Sequence, residues 1–180
     1  MVVPKYMDLP KYAKLENERR FRVERPTDLD LEGLRSALIE DLYIDNTRLR
    51  LRKVTPASGE AISYKLCKKY PCTDPYSGTI VNTYLTAEEH AVFCKLPGRH
   101  IVKRRHYTTF ESHSFGIDIF QGKLAGLILC EAEASTRQAV CDIQFPSWAT
   151  IEVTEDPFFS GGNLSSLDRH ELLRRLSGAR

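Results

Sequence analysis

The sequence predicts a mainly β (α+β) fold built from short strands with a few helices at its periphery. Three observations carry that reading. Many short segments alternate apolar and polar residues with the period of a strand. Clusters of turn formers separate them, such as Tyr70-Pro-Cys-Thr-Asp-Pro-Tyr-Ser-Gly78. Along several of the strands, same-sign charges recur at every second position.

The elements follow in order. Lys14 to Glu24 alternates and reads as a strand. Leu31, Leu34, Ala37 and Leu38 recur at helical spacing, so Leu29 to Glu40 is expected as a short helix. Tyr43 to Val54 reads as strand, with a turn at Asp45-Asn46. Ala61 to Lys68 follows Ser58-Gly59 as a further strand, and Thr79 to Leu85 is rich in β-formers. Thr86-Ala-Glu-Glu89 has the form of a capping box and opens a helix to about Leu96, stopped by Pro97-Gly98. His100 to Thr108, Ser114 to Phe120 and Gly126 to Ala134 read as strands, the last two joined around Gln121-Gly122 and Gly126. Trp148 to Thr154 is one more short strand. Leu164 to Leu176 is a terminal helix after a break at Gly161-Gly162. The total is about eight or nine strands and two or three helices.

With 180 residues and no linker, repeat or low-complexity tract, the chain (1–180) is expected to be a single domain. Hydrophobic residues make up 42% and charged residues 28%, as in ordinary globular proteins. No apolar run is long enough to span a membrane, and Met1 to Pro10 lacks the apolar stretch of a signal peptide. A cytoplasmic protein without membrane association is expected. Cys67, Cys72, Cys94, Cys130 and Cys141 are odd in number and contain no CxxC pair, which argues against a disulfide framework and a cysteine-based zinc site. The histidines, His90, His100, His106, His113 and His170, show no ligand spacing. A net charge of +2 and the lack of an aromatic-basic platform argue against a nucleic-acid partner. Self-association into a homodimer is left open.

Residues i and i+2 of a strand share a face. Glu16, Glu18 and Arg20 therefore point one way, as do Arg48, Arg50 and Arg52 with Leu49 and Leu51 opposite. Lys103 and Arg105 form another pair, Asp118 lies between Ile117 and Ile119, and Glu131 and Glu133 flank Ala132. Glu152 lies between Ile151 and Val153. One arrangement makes these the solvated outer faces of an ordinary sheet, around an apolar cavity lined by Leu49, Leu51, Ile117 and Ile119. The other turns the apolar faces outward against helices and the charges inward. A water-filled interior holding a metal and a polyanion would then offset the cost of gathering so many charges. The two signs together suit one ligand type: Arg and Lys grip phosphate oxygens, while Glu and Asp bind Mg²⁺ or Mn²⁺. Lys68 and Lys69 are expected to be solvated, and Trp148 to pack on the outside.

Glu16-Asn-Glu-Arg-Arg20-Phe21 resembles the Glu-x-Glu-x-Lys opening motif of the CYTH superfamily, the triphosphate tunnel metalloenzymes. Leu49-Arg-Leu-Arg52 resembles that family's basic strand, Ile62-Ser-Tyr-Lys65 its strand ending in a phosphate-binding Lys, and Lys103-Arg-Arg105 its next basic pair. Ile117-Asp-Ile-Phe120 with Glu131-Ala-Glu133 resembles its late acidic block, and Ile151-Glu-Val-Thr154 with Gly161-Gly-Asn-Leu164 its closing segment. The resemblance runs from about Leu15 to Leu164 and departs in two places. Arg20 stands where the motif has Lys, and Asn82-Thr83-Tyr84 where many members carry a carboxylate.

The resemblance implies an eight-stranded antiparallel closed β-barrel around a triphosphate tunnel. It implies metal-dependent hydrolysis of inorganic tripolyphosphate, thiamine triphosphate or a nucleoside triphosphate, with class IV-type adenylate cyclase or a non-catalytic polyphosphate-binding module as alternatives. Mg²⁺ or Mn²⁺ would be held by Glu16, Glu18, Asp118, Glu131 and Glu133. Arg50, Arg52, Lys65, Lys103 and Arg105 would bind the substrate. Glu16, Glu18 and Arg20 form the expected catalytic group, and Arg48 and Glu152 are further candidates for the interior.

Overall fold

The computed structural model describes residues 10–24 and 29–178. The reading of the first nine residues therefore lies outside the described part. The described residues form nine strands and four α-helices. The strands are β1 (Lys14–Arg22), β2 (Ser36–Ile44), β3 (Leu49–Pro56), β4 (Ser63–Lys69), β5 (Ser77–Leu85), β6 (Gly98–Phe110), β7 (His113–Phe120), β8 (Ile128–Ala134) and β9 (Ile151–Glu152). The helices are α1 (Ala87–Phe93), α2 (Arg137–Cys141), α3 (Gly161–Ser166) and α4 (Arg169–Ser177).

All strand pairings are antiparallel. The order is β5-β4-β3-β2-β6-β7-β8-β1-β9, and β1 also pairs with β5. That last pairing closes eight strands into the expected barrel and removes its free edges. Asn17 pairs with Ala134 of β8 on one edge and with Ser77 of β5 on the other. Further along the second edge, Phe21 and Arg22 pair with β9 in place of β5.

The pleat separates two kinds of lining. Outward, Phe21, Val23, Phe115, Ile117, Cys130 and Ala132 pack with Val140 of α2 and with Ile143, and Trp148 lies over this cluster as expected. A second outer cluster joins Leu42, Ile44 and Leu51 to Leu66, Leu85 and Phe93. The apolar-cavity arrangement is thereby overturned, because Leu49, Leu51, Ile117 and Ile119 all belong to these outer clusters. The third cluster differs in place. Ile101, Phe120 and Leu129 share the inner face with Lys103, Asp118 and Glu131, and they meet Val153, Phe159, Leu164 and Leu172 from the C-terminal segment. That segment closes one end of the barrel.

Several local expectations change. Leu29 to Glu40 is not a helix: residues 36–40 begin β2, and the register to β3 and β6 decides the matter. Ala37 and Ile39 face inward while Leu42 and Ile44 face outward, so burial on both sides of a strand imitated helical spacing. Tyr43 to Val54 divides into the end of β2 and the start of β3, with Asn46 at φ 58° in the turn between them. The single terminal helix expected over Leu164 to Leu176 is two helices: Gly161 and Gly162, expected as a break before it, begin α3, capped by Ser160, whose side chain accepts from the Asn163 amide, and Asp168 caps a separate α4. The strand expected over Trp148 to Thr154 shortens to Ile151–Glu152. The capping box at Thr86 and Glu89 is present.

Candidate functional site

The alternation that turns Leu49 and Leu51 outward turns Arg50 and Arg52 inward. Cross-strand neighbours then assemble the interior. Glu18 faces Glu133 and Arg20 faces Glu131 across β1 and β8. Arg52 faces Asp41 on β2 and Lys65 on β4. Arg105 faces Asp118 across β6 and β7.

The ion pairs form a continuous web. Arg20 donates to Glu18 at 2.5 Å, to Glu131 at 3.3 Å and to the Phe159 carbonyl at 3.4 Å. Arg105 donates to Asp118 at 2.7 and 2.6 Å and also to Glu131. Lys103 pairs with Asp118, which is fully buried. Lys69 donates to Glu16 at 2.6 Å and lies 3.9 Å from Glu18. Lys65 has a different neighbour: its ammonium lies 5.2 Å from the centre of the Tyr84 ring.

The electrostatics follow these contacts. Burial pushes the Glu131 carboxyl up, but Lys103, Arg105, Arg20 and Lys69 outweigh it and hold it well below the usual carboxylate range. Glu16 is lowered too, the Lys69 ammonium overcoming its burial. Glu133 moves the other way: burial and then the charges of Glu16, Glu18 and Glu131 raise it. It lies directly opposite Glu18, an unfavourable like-charge pair.

Sequence reasoning missed two inward residues. Asp41 is 2% exposed and accepts from Arg52 Nε and Nη2 at 2.6 and 2.7 Å. Arg52 and Arg50 outweigh the cost of its burial and lower its pKa to about 2. The helical reading of the preceding segment hid it, although strand parity with Tyr43 would have found it. Lys69 was expected in solvent; parity with Lys65 and Cys67 puts it on the inner face, where it pairs with Glu16. Lys68, on the other face, is exposed as expected. Of the two further candidates for the interior, Glu152 faces outward and is held by Arg19 at 2.9 and 2.6 Å. Arg48 is exposed in the turn before β3.

Among the described residues, no three His, Cys, Asp or Glu side chains converge as a ready metal cage. The interior cations explain why: Arg20, Lys69 and Arg105 draw Glu18, Glu16 and Glu131 onto themselves. The donor set nevertheless fits a hard divalent cation. Glu16, Glu18, Glu131 and Glu133 come from two adjacent strands and offer only carboxylate oxygens, and the Glu18–Glu133 apposition is one that such a cation would relieve.

No family model matches the sequence, and no curated protein matches it. Solved structures do. The inorganic triphosphatase NE1496 is 21% identical over 83% of this chain and 93% of its own, with a TM-score of 0.55. A second structure of NE1496 covers 85% of this chain and 99% of its own at 20% identity and a TM-score of 0.57. The PH1819 protein of Pyrococcus horikoshii OT3 is 15% identical, covering 71% of this chain and 82% of its own with a TM-score of 0.54. A Bacillus halodurans protein provisionally named an adenylate cyclase is 13% identical over 83% of this chain and all 100% of its own, at a TM-score of 0.50. At these identities the likeness is one of fold.

Proposed function

We infer the function from the fold, which is that of the CYTH-type proteins: a closed eight-stranded antiparallel barrel with an added strand and a few helices. We propose that this chain is a metal-dependent triphosphatase that cleaves the terminal phosphoanhydride of a triphosphate inside the barrel, with inorganic tripolyphosphate as the first substrate to test. One observation carries the reading. An acidic wall on β1 and β8 and basic residues on β3, β4 and β6 share the interior of one barrel. Metal-phosphate is the ligand class that needs both signs at once. NE1496 is named an inorganic triphosphatase, which agrees with it.

Glu16, Glu18, Glu131 and Glu133 are the proposed holders of Mg²⁺ or Mn²⁺, which would supply Lewis-acid polarisation of phosphate oxygens. Asp118 has a different part. Its carboxylate is fully buried, unlike that of Glu131, and bonded to both Lys103 and Arg105, so its first part is to aim those cations. Arg50, Arg52, Lys65, Lys103 and Arg105 bind the phosphate chain and offset the charge that gathers on the leaving diphosphate. Arg20, fixed between Glu18, Glu131 and the Phe159 carbonyl, marks the closed end of the chain's path. No cation among the described residues pairs with Glu133 within salt-bridge distance, so it is the carboxylate best suited to orient the attacking water and take its proton. Water adds to the terminal phosphorus, the P–O bond to the neighbouring phosphate breaks, and orthophosphate and diphosphate result.

A second reading concerns the substrate's other end. Tyr84 is inward by its pairing with Lys65, yet it is 71% exposed near the end of β5 opposite the apolar closure. An exposed ring at that mouth favours a triphosphate bearing an aromatic group, and a cyclase would share that requirement. The test is phosphate release from tripolyphosphate, thiamine triphosphate and ATP with Mg²⁺ or Mn²⁺, run beside an assay for cyclic nucleotide. Release from tripolyphosphate supports the first reading. Cyclic nucleotide without phosphate release selects the cyclase. Tight binding with no product from any of the three selects a binding module.

A further inference from the structure

The interior cations are not held alike. Arg20 is forked between two carboxylates and a backbone carbonyl, and Arg105 bridges Asp118 and Glu131. Each is fixed by several bonds. Lys69 makes one hydrogen bond, to Glu16 at 2.6 Å, with Glu18 at 3.9 Å, and its side chain is 47% exposed. It ends β4, and its backbone is fixed, its amide donating to the Arg48 carbonyl at 3.3 Å. What can move is the side chain, a compact ammonium on a flexible stem. Its charge lies against the acid pair of β1, where a small cation would sit, and Arg50 lies close enough to repel it.

We propose that Lys69 is the resident counter-cation of Glu16, beside a Glu18 already held by Arg20, and that it is displaced when a divalent cation binds between the two acids and thereby released to the phosphate chain. A dication outcompetes a single ammonium for two carboxylates. The freed side chain shares the inner face of β4 with Lys65, already a proposed phosphate ligand. The exchange keeps the acid pair compensated in both states, and it makes metal and triphosphate bind with positive coupling through one side chain. The inference rests on the metal-binding reading above.

The experiment is calorimetric titration with Mn²⁺ alone, on the wild type, Lys69→Met, Lys68→Met and the double variant Glu16→Gln/Glu18→Gln. Lys68 is the matched control: it is adjacent, also cationic, and on the outer face, its ammonium 5.2 Å from the Tyr70 ring centre. Lys69→Met is expected to bind Mn²⁺ about three- to tenfold more tightly than the wild type, the scale of one partly exposed ion pair. Lys68→Met should match the wild type, and the double variant should lose binding. With Mn²⁺ saturating, Lys69→Met should bind a non-hydrolysable imido analogue of tripolyphosphate roughly tenfold more weakly. Equal Mn²⁺ affinity in the wild type and Lys69→Met, with binding lost in the double variant, overturns the inference and leaves the metal reading standing. Equal tightening in Lys69→Met and Lys68→Met reduces it to a net-charge effect and overturns it. No Mn²⁺ binding by any of the proteins overturns both.

Discussion

Asp41 and Arg52 meet through two parallel hydrogen bonds of 2.6 and 2.7 Å on adjacent strands, with Asp41 2% exposed. Arg50 lies 3.8 Å from the same carboxylate. One buried acid thus holds in place two of the proposed phosphate-binding side chains. Asp41→Asn keeps the shape and removes the charge, leaving two guanidinium groups facing each other. Expected are a stability loss of about 2–4 kcal/mol and a KM for triphosphate raised more than kcat is lowered. Denaturant midpoints and steady-state kinetics check both, and an unchanged midpoint would refute the first.

The same residue sets an acid limit. Its folded-state pKa of about 2 lies below the ordinary 3.8, so its contribution to stability is fully present above about pH 4. It is lost as pH falls through the folded value. The shift corresponds to roughly 2 kcal/mol. Between pH 5 and pH 2, wild-type stability should fall more steeply than that of Asp41→Asn, and parallel curves would count against the pairing.

Glu131 and Glu133 separate stability from function. Glu131 anchors Arg20 and Arg105, so Glu131→Gln should both destabilise the barrel and impair activity. Glu133 is exposed and faces Glu18, so Glu133→Gln should leave stability unchanged or slightly raised. Metal-dependent hydrolysis should still fall on the order of a hundredfold. The sign with pH follows. A carboxyl raised in the folded state favours folding below its unfolded pKa, an advantage lost as pH rises through the folded value. Glu133→Gln should remove that loss, and thermal scans from pH 4 upward measure it.

The apolar closure of the barrel can be tested at a pair of glycines. A Cβ at Gly161 would overlap the Tyr43 hydroxyl, with Tyr43 Cζ at 3.0 Å, whereas at Gly162 it would meet nothing within 4 Å. Gly161→Ala should cost about 1–3 kcal/mol and speed proteolytic cutting of α3 and α4. Gly162→Ala should be neutral or slightly stabilising. Equal effects in thermal melts and limited proteolysis would show that Tyr43 does not seat this segment.

Glu152 supplies the contrast to the interior acids. It lies on the outside, bonded to Arg19 and to the Thr154 hydroxyl at 2.8 Å. Glu152→Gln should change kcat and KM by less than about twofold and cost at most ~1 kcal/mol of stability. A large loss of activity would move this residue into the barrel.

Local patterning was enough to read most of the strands and the alternation that segregates charge from apolar residues along each of them, while the antiparallel barrel was implied only by the family resemblance. Period-two patterning is local, and it is written into Glu16-x-Glu18-x-Arg20 and Arg50-x-Arg52 without any partner. The tertiary structure decided what lies across each strand. Asp41 stayed hidden because β2 is buried on both faces, so its apolar residues matched a helical spacing as well as a strand. The outward place of Glu152 was equally closed to the sequence, because a lone acid between two apolar residues has the same pattern on either side of a sheet. The pairing of Lys69 with Glu16 spans 53 residues, and no local period reaches that far. Closure of β1 onto β5 brings those strands together, and with them the acids and bases that make the interior a candidate site.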